Sequence, residues 1–189
     1  MRLSQNRYAK DMRRRDLAIR MIEYEARTST IVDWTGLTRY QIQGMFSGYT
    51  ELREHPRHRG VSPFQPAFFS RSLWHECESA ALAAIELEME IIPAKAMPEI
   101  ASQLPGLARG ERLLNAFDLY RALVPRPKIS LEYAVLLARE LTIARTLTLR
   151  RCVRCDGLMV IDRLAPPHET CAFCRLDLRG TGEIERAQL

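Results

Sequence analysis

Four cysteines near the C-terminal end of this 189-residue chain restrict its fold more than any other feature of the sequence. They form two CxxC pairs, Cys152 with Cys155 and Cys171 with Cys174, with fifteen residues between the pairs. Two residues between cysteines let both sulfurs of a pair turn toward one point, and a second pair completes a tetrahedral shell. The spacing therefore predicts one structural Zn²⁺ ion, with no open position for a catalytic water.

The residues between the two pairs predict a small zinc-ribbon-like module. Residues 158–161 are apolar and partly β-branched, as in a short strand. His168 is an alternative fourth ligand, but the four cysteines already complete the shell. We expect a zinc-binding module over residues 150–178 and a flexible tail over residues 179–189.

The preceding residues, 1–149, predict a multi-helix body, so that the fold class is mainly α. Hydrophobic residues make up 47% of the chain and charged residues 27%, which is typical of a globular protein. Helical periodicity and Gly or Pro stops predict helices over residues 4–26, 29–34, 38–48, 67–92, 97–104, 110–123 and 130–149. The predicted core faces of the last two helices are Leu113, Leu114, Phe117 and Tyr120, and Leu136, Leu137, Leu141 and Ile143.

Cysteine usage and hydropathy predict a cytoplasmic protein without a membrane span. Five cysteines, four at metal spacing, favour a reducing compartment. No apolar run approaches the roughly 18 residues needed to cross a bilayer, and the early arginines precede no signal-peptide core. The fifth cysteine, Cys77, lies in an apolar helical stretch, where a buried small side chain is a better interpretation than a reactive thiol.

The distribution of charge favours a polyanionic partner. The net charge is +5, and residues 1–30 hold eight Lys or Arg against four Asp or Glu. Residues 126–154 hold seven against two. A basic loop over residues 51–66 carries further arginines, whereas the middle of the chain is acidic at Glu86, Glu88 and Glu90. Solvated faces are the alternative interpretation of such clusters.

Residues 28–47 predict a helix-turn-helix segment. Gly36 marks the bend, and Thr38 is a suitable N-cap for the second helix. Ile42 would be buried on that helix together with neighbours from the first. At about 100° per residue, Tyr40, Gln43 and Ser47 lie on the face away from Ile42, with Arg39 on its flank, and these four residues are the candidate DNA contacts. Many helical hairpins share this pattern without binding DNA.

The order of these segments resembles the FlhC family, the flagellar master transcriptional activator subunits of proteobacteria. The resemblance runs from about residue 15 to residue 176. It includes residues 26–37 with the following helix, residues 61–74 with their aromatic side chains, residues 113–120 and the two CxxC pairs. The order of the segments is more specific than any one of them.

The resemblance implies a DNA-binding activator subunit that acts with a smaller, FlhD-like subunit in a heteromeric complex. That complex would bind promoters of flagellar operons and recruit RNA polymerase. The resemblance also implies a Zn²⁺ ion held by Cys152, Cys155, Cys171 and Cys174. It assigns no individual DNA contact.

Two other classes of function compete with this interpretation. An enzyme is not expected, because the chain has no HExxH, phosphate loop or GxSxG motif and a closed zinc shell cannot activate water. A zinc-ribbon adaptor that binds proteins without touching DNA would also explain the apolar helices.

Overall fold

The computed structural model describes residues 2–50, 63–99, 105–166 and 168–177, and in them the chain is mainly helical. The helices are α1 (Arg2–Glu23), α2 (Thr28–Thr35), α3 (Arg39–Thr50), α4 (Leu73–Glu88), α5 (Leu107–Leu123), α6 (Leu131–Ile143) and the short α7 (residues 172–177). A 3₁₀ turn precedes α4, and two antiparallel strands, β1 (Leu147–Arg151) and β2 (Leu158–Asp162), follow α6. None of the described helices has the length and hydropathy needed to cross a membrane.

Helices α1 and α5 lie side by side and run in the same direction. Arg13 pairs with Glu111 at 2.5 Å. Seven residues later on both helices, about two turns, Arg20 pairs with Asp118 at 2.7 Å. Below these surface pairs α1 meets Gly110 of α5, where an added Cβ would come within 2.8 Å of the Leu17 side chain. Glycine therefore permits the close approach of α5 to α1.

A buried carboxylate connects α4, α5 and the segment before α6. Glu78 accepts hydrogen bonds from the Tyr120 hydroxyl and, at 2.9 Å, from the backbone N–H of Lys128. The N–H of Ile129 in turn donates to the Tyr120 hydroxyl at 3.2 Å. Because Glu78 lies on α4 and its two hydrogen-bond donors lie on α5 and on the segment before α6, it fixes the relative positions of these three segments. The predicted core faces of α5 and α6 are buried, apart from the half-buried Ile143.

The prediction of one helix over residues 67–92 is wrong at both ends. Residues Pro66–Ser70 form the 3₁₀ turn, and α4 starts only after Ser72, whose hydroxyl accepts from the His75 N–H. At its C-terminus, Glu90 takes a left-handed conformation (φ 56°), and the N–H of Ile91 donates to the Glu86 carbonyl at 2.8 Å. This Schellman motif is formed without glycine, so no residue type at Glu90 marks the end of α4.

The prediction of a helix over residues 130–149 is wrong in its last third. Helix α6 ends at Ile143, because Ala144 is left-handed (φ 51°) and its N–H donates to Glu140 O at 2.8 Å. Residues after this turn form β1, so the predicted boundary between residues 149 and 150 falls inside a strand. Three predicted segments lie wholly or mostly outside the described residues, namely the helix over residues 97–104, the loop over residues 51–66 and the C-terminal tail over residues 179–189.

The two-stranded sheet is shared between two hydrophobic clusters. Leu149 of β1 pairs with Val160 of β2, and both pack against the main helical core. Met159 and Ile161 point to the opposite face, as alternation along a strand requires, and pack around the cysteines. The strand predicted over residues 158–161 is therefore confirmed as β2, and it joins the cysteine cluster to the helical body.

The acidic stretch of Glu86, Glu88 and Glu90 is not one solvated face. The Glu86 side chain is 0% exposed, and neither of its carboxylate oxygens has a hydrogen-bond partner among the described residues, whereas Glu88 and Glu90 are exposed. Burial raises the pKa of Glu86 well above its ordinary value of 4.5. The folded protein therefore keeps this carboxyl protonated at pH values where the unfolded chain ionises it.

We expect the substitution Glu86→Met to stabilise the fold at pH 8 by about 1 to 3 kcal/mol. The reason is that an apolar side chain of similar size replaces a buried carboxyl group that has no hydrogen-bond partner among the described residues. The carboxyl lowers stability progressively as the pH rises above 4.5, where the unfolded chain starts to lose its proton. Urea denaturation at pH 4.5 and pH 8 should thus show a larger gain at pH 8. Glu88→Met, on the exposed face of α4, is the matched control and should change stability by under about 0.5 kcal/mol. Equal gains at both pH values would contradict the assignment.

Candidate metal centre and nucleic-acid interface

The four predicted ligands lie together. The sulfurs of Cys152, Cys155, Cys171 and Cys174 are all within 4.8 Å of one another. Cys152 Sγ is 3.9 Å from Cys174 Sγ, and Cys155 Sγ is 3.7 Å from Cys171 Sγ. A tetrahedral ion with metal–sulfur bonds of about 2.3 Å separates its sulfurs by about 3.8 Å. The arrangement can hold such an ion, and these distances are too long for disulfide bonds.

Backbone turns aim the sulfurs at one point. After β1, the N–H of Asp156 donates to the Cys152 carbonyl, and the N–H of Cys152 donates to Gly157 O, each at 2.9 Å. In the second pair, Cys171 immediately precedes α7. Its N–H donates to Cys152 Sγ at 3.2 Å, and the N–H of Cys174 donates to Cys171 Sγ at 3.4 Å. Both pairs therefore satisfy backbone donors with the same sulfurs that can bind the ion.

The electrostatics of the cluster favour a bound cation. Donation by the Cys171 N–H lowers the pKa of Cys152 to about 6, which makes its sulfur a thiolate at neutral pH. The hydrogen bond between Cys174, of the second pair, and Cys155 raises the pKa of the Cys174 thiol to about 12. A divalent cation would offset the repulsion between thiolates and release the remaining protons, so affinity for metal falls as the pH falls.

Ion pairs attach the cysteine cluster to α4. Glu76 of α4 pairs with Arg175 of α7 and lies 3.7 Å from His168 Nε2. His168, the alternative ligand, therefore faces Glu76 and lies outside the group of four sulfurs. Cys77 is buried beside Glu76, as expected for a small core side chain, and burial raises the pKa of its thiol.

The helix-turn-helix segment has the predicted elements and caps. Gly36 ends α2 in a left-handed conformation (φ 68°), and its N–H donates to Val32 O at 2.8 Å. Thr38 and Gln41 then form a capping box at the start of α3. The Thr38 N–H donates to Gln41 Oε1 at 2.9 Å, and the Gln41 N–H donates to Thr38 Oγ1 at 3.3 Å. The hydrogen bond from the Thr38 N–H to the Gln41 side chain is not part of the sequence prediction, although the Thr-x-x-Gln spacing of a capping box is present in the sequence.

The candidate DNA contacts share one accessible face of α3. Ile42 is fully buried, together with Ile31 and Leu37 from the preceding helix and turn. Tyr40 is 85% exposed on the opposite side. The other three candidates, Arg39, Gln43 and Ser47, are also exposed. Their contacts with DNA stay predictions.

Arg14 of α1 lies beside the turn of this segment, an arrangement not predicted from the sequence. A guanidinium nitrogen of Arg14 lies 3.8 Å from the position that a Cβ on Gly36 would occupy. A signal was available, because Arg14 precedes the buried Leu17 and Met21 by three and seven residues and therefore shares their face of the helix.

No protein-family model matches the sequence, and a search of curated proteins finds no significant match. The resemblance to the FlhC family therefore stays a prediction based on the order of segments and on the motifs.

We expect the chain to bind one equivalent of Co²⁺, a spectroscopic probe for a thiolate site, with the absorption of a tetrahedral complex. Cys152→Ser should weaken binding at least about 100-fold, because one of four thiolates is lost. Cys77→Ser removes the neighbouring buried thiol and should leave the titration unchanged. Equal weakening in both variants would mean that the four sulfurs are not the ligands. Affinity in the unmodified chain should also fall on acidification.

Proposed function

We propose that this chain is a DNA-binding subunit of a transcriptional activator, and not an enzyme. In this proposal it carries one structural Zn²⁺ ion and acts in the cytoplasm with a smaller, FlhD-like subunit. The complex binds promoters of flagellar operons and recruits RNA polymerase. The observation that carries the proposal is the exposed polar face of α3, on a helix held by a capped turn and a buried opposite side.

The residues on that face have the chemistry needed for DNA recognition. A recognition helix contacts base edges chiefly through its N-terminal residues, and Arg39, Tyr40 and Gln43 lie in the first turns of α3. Arginine can bind guanine through two hydrogen bonds, and glutamine can do the same with adenine. Burial of Ile42 fixes how α3 is rotated, so these side chains stay on the accessible side.

Zinc is the metal that best suits the four sulfurs. Thiolates favour soft and borderline ions, and four of them in a tetrahedron are typical of structural zinc. The ion would hold α7 and the outer face of the sheet together, where few apolar side chains pack. A metal in this position stabilises the shape of the protein and does no chemistry.

The FlhC-like order of segments is the basis for proposing the smaller partner subunit, the flagellar promoters and RNA polymerase. The net charge of +5 agrees with a nucleic-acid partner but does not identify the DNA. An electrophoretic mobility shift with flagellar promoter DNA, with and without the smaller subunit, tests this part directly.

We expect Arg39→Ala to weaken binding to the cognate promoter by about 1 to 3 kcal/mol, since a base-contacting arginine supplies about that much discrimination. Lys95→Ala removes one exposed positive charge after α4, outside both basic clusters of the sequence, and should have a much smaller effect. An unchanged footprint and affinity for Arg39→Ala would remove α3 from the interface.

A protein-binding adaptor is the second candidate, because the cysteine module exposes apolar side chains. Val153 is 70% exposed and Phe173 is 59% exposed, one within each CxxC pair. Exposed apolar patches mark surfaces that bind other proteins. An adaptor would fail to shift promoter DNA even with its partner, and Phe173→Ser would then abolish co-purification of that partner.

A further inference from the structure

One face of α1 changes in character along its length. Five residues at alternating spacings of three and four share this face, and they are Arg7, Lys10, Arg14, Leu17 and Met21. Leu17 and Met21 are buried in the main core. Arg7 and Lys10 are exposed, as are all residues from 7 to 10. The same face is therefore apolar and covered in its C-terminal half, and basic and uncovered in its N-terminal half.

Three side chains, Arg7, Lys10 and Arg14, make up what we call the basic stripe. Its inner end is fixed in space, because the guanidinium of Arg14 lies beside Gly36 at the turn between α2 and α3. Asp11 lies 3.5 Å from Arg14. In the part of the chain that the structure describes, neither Arg7 nor Lys10 has an ion-pair partner.

The position of the stripe relates it to α3. The chain passes from Gly36 into α3 within three residues, so Arg14 lies next to the N-terminal end of the helix that carries Arg39. Leu17 and Met21 continue the same face C-terminal to the stripe, and their burial prevents α1 from rotating. Lys10 and Arg7 therefore extend from the turn along the same face of α1, about one and two helical turns beyond Arg14.

The chemistry of the stripe selects its occupant. It contains three cations and no apolar side chain, so a hydrophobic protein surface would gain nothing by covering it. A polyanion with regularly spaced charges fits better, because long flexible cationic side chains neutralise phosphates without a fixed register.

We infer that the basic stripe of Arg7, Lys10 and Arg14 binds the phosphate backbone of the DNA duplex whose bases face α3. This inference rests on the proposed function, and it assigns a separate element to affinity. The stripe supplies contacts that do not depend on sequence and release counterions, whereas α3 supplies sequence preference.

The test compares two double variants that lower the net charge equally. Arg7→Gln with Lys10→Gln removes the exposed part of the stripe. Arg71→Gln with Lys95→Gln is the control, because it removes two exposed charges that flank α4 and lie outside both basic clusters of the sequence. The full chain, with any subunit that co-purifies, is titrated by fluorescence anisotropy against a mixed-sequence duplex of about 30 base pairs at NaCl concentrations from about 50 to 200 mM.

We expect the stripe variant to lose affinity about tenfold or more, and the slope of log K against log [NaCl] to fall in magnitude by about 1.8, that is, about 0.9 for each lost phosphate contact. The control variant should keep the slope of the unmodified protein. Circular dichroism should show the same helix content for both variants, because all four substituted side chains are exposed.

The outcomes separate this inference from the proposed function. Equal losses in the two variants, or no loss in the stripe variant, would overturn the stripe as a phosphate site. In that case, a reduced preference of Gln43→Ala for promoter over mixed-sequence DNA would support the proposed function without the stripe. Failure of the unmodified protein to bind either duplex at the lowest salt concentration would overturn both.

Discussion

Strand β2 belongs to two hydrophobic clusters, and this shared membership holds the two parts of the structure together. Val160 packs into the helical core, while Met159 and Ile161 on the other face pack around the cysteines. Since successive side chains of a strand point to opposite faces, neither cluster can be rearranged without moving the other. The ion pair between Glu76 and Arg175 adds a second connection from α4 to the segment that carries the last two cysteines. A metal ion at the four sulfurs would therefore act on a sheet that is already packed against the helices.

Helix α1 combines a structural and a proposed binding function along a single face. Its C-terminal half packs against α5, where Gly110 allows the Leu17 side chain to approach closely. The same packing sets the position of Arg14 at the turn before α3. A basic stripe and a polar helix face thus have a fixed relative geometry, which is what a protein needs in order to contact a rigid duplex at two places. The exposed apolar side chains of the cysteine module lie on a different part of the chain and leave a separate surface for a protein partner.

Sequence patterns were reliable where the structure depends on interactions between residues close together in the chain. Cysteine spacing brought the four sulfurs together, and Gly36 with Thr38 gave the turn before α3, because caps and short metal loops depend on neighbouring residues. Helix ends were predicted poorly for the opposite reason. Glu90 and Ala144 end α4 and α6 in left-handed conformations that usually require glycine. After Glu90 the chain turns so that Ile91 and Ile92 are buried in the helical core, which no local pattern specifies.

The sequence alone determined which four cysteines come together, the mainly helical class and the polar face of α3, since each follows from residue type at a fixed spacing. Only the tertiary structure decided that residues after Ala144 form a strand, because that strand exists through pairing with β2. It also decided that Glu86 is buried while Glu88 is exposed, and that Arg14 reaches the turn at Gly36. These features depend on contacts between segments far apart in the chain, and no local pattern of charge or hydropathy specifies which distant surface will cover a given side chain.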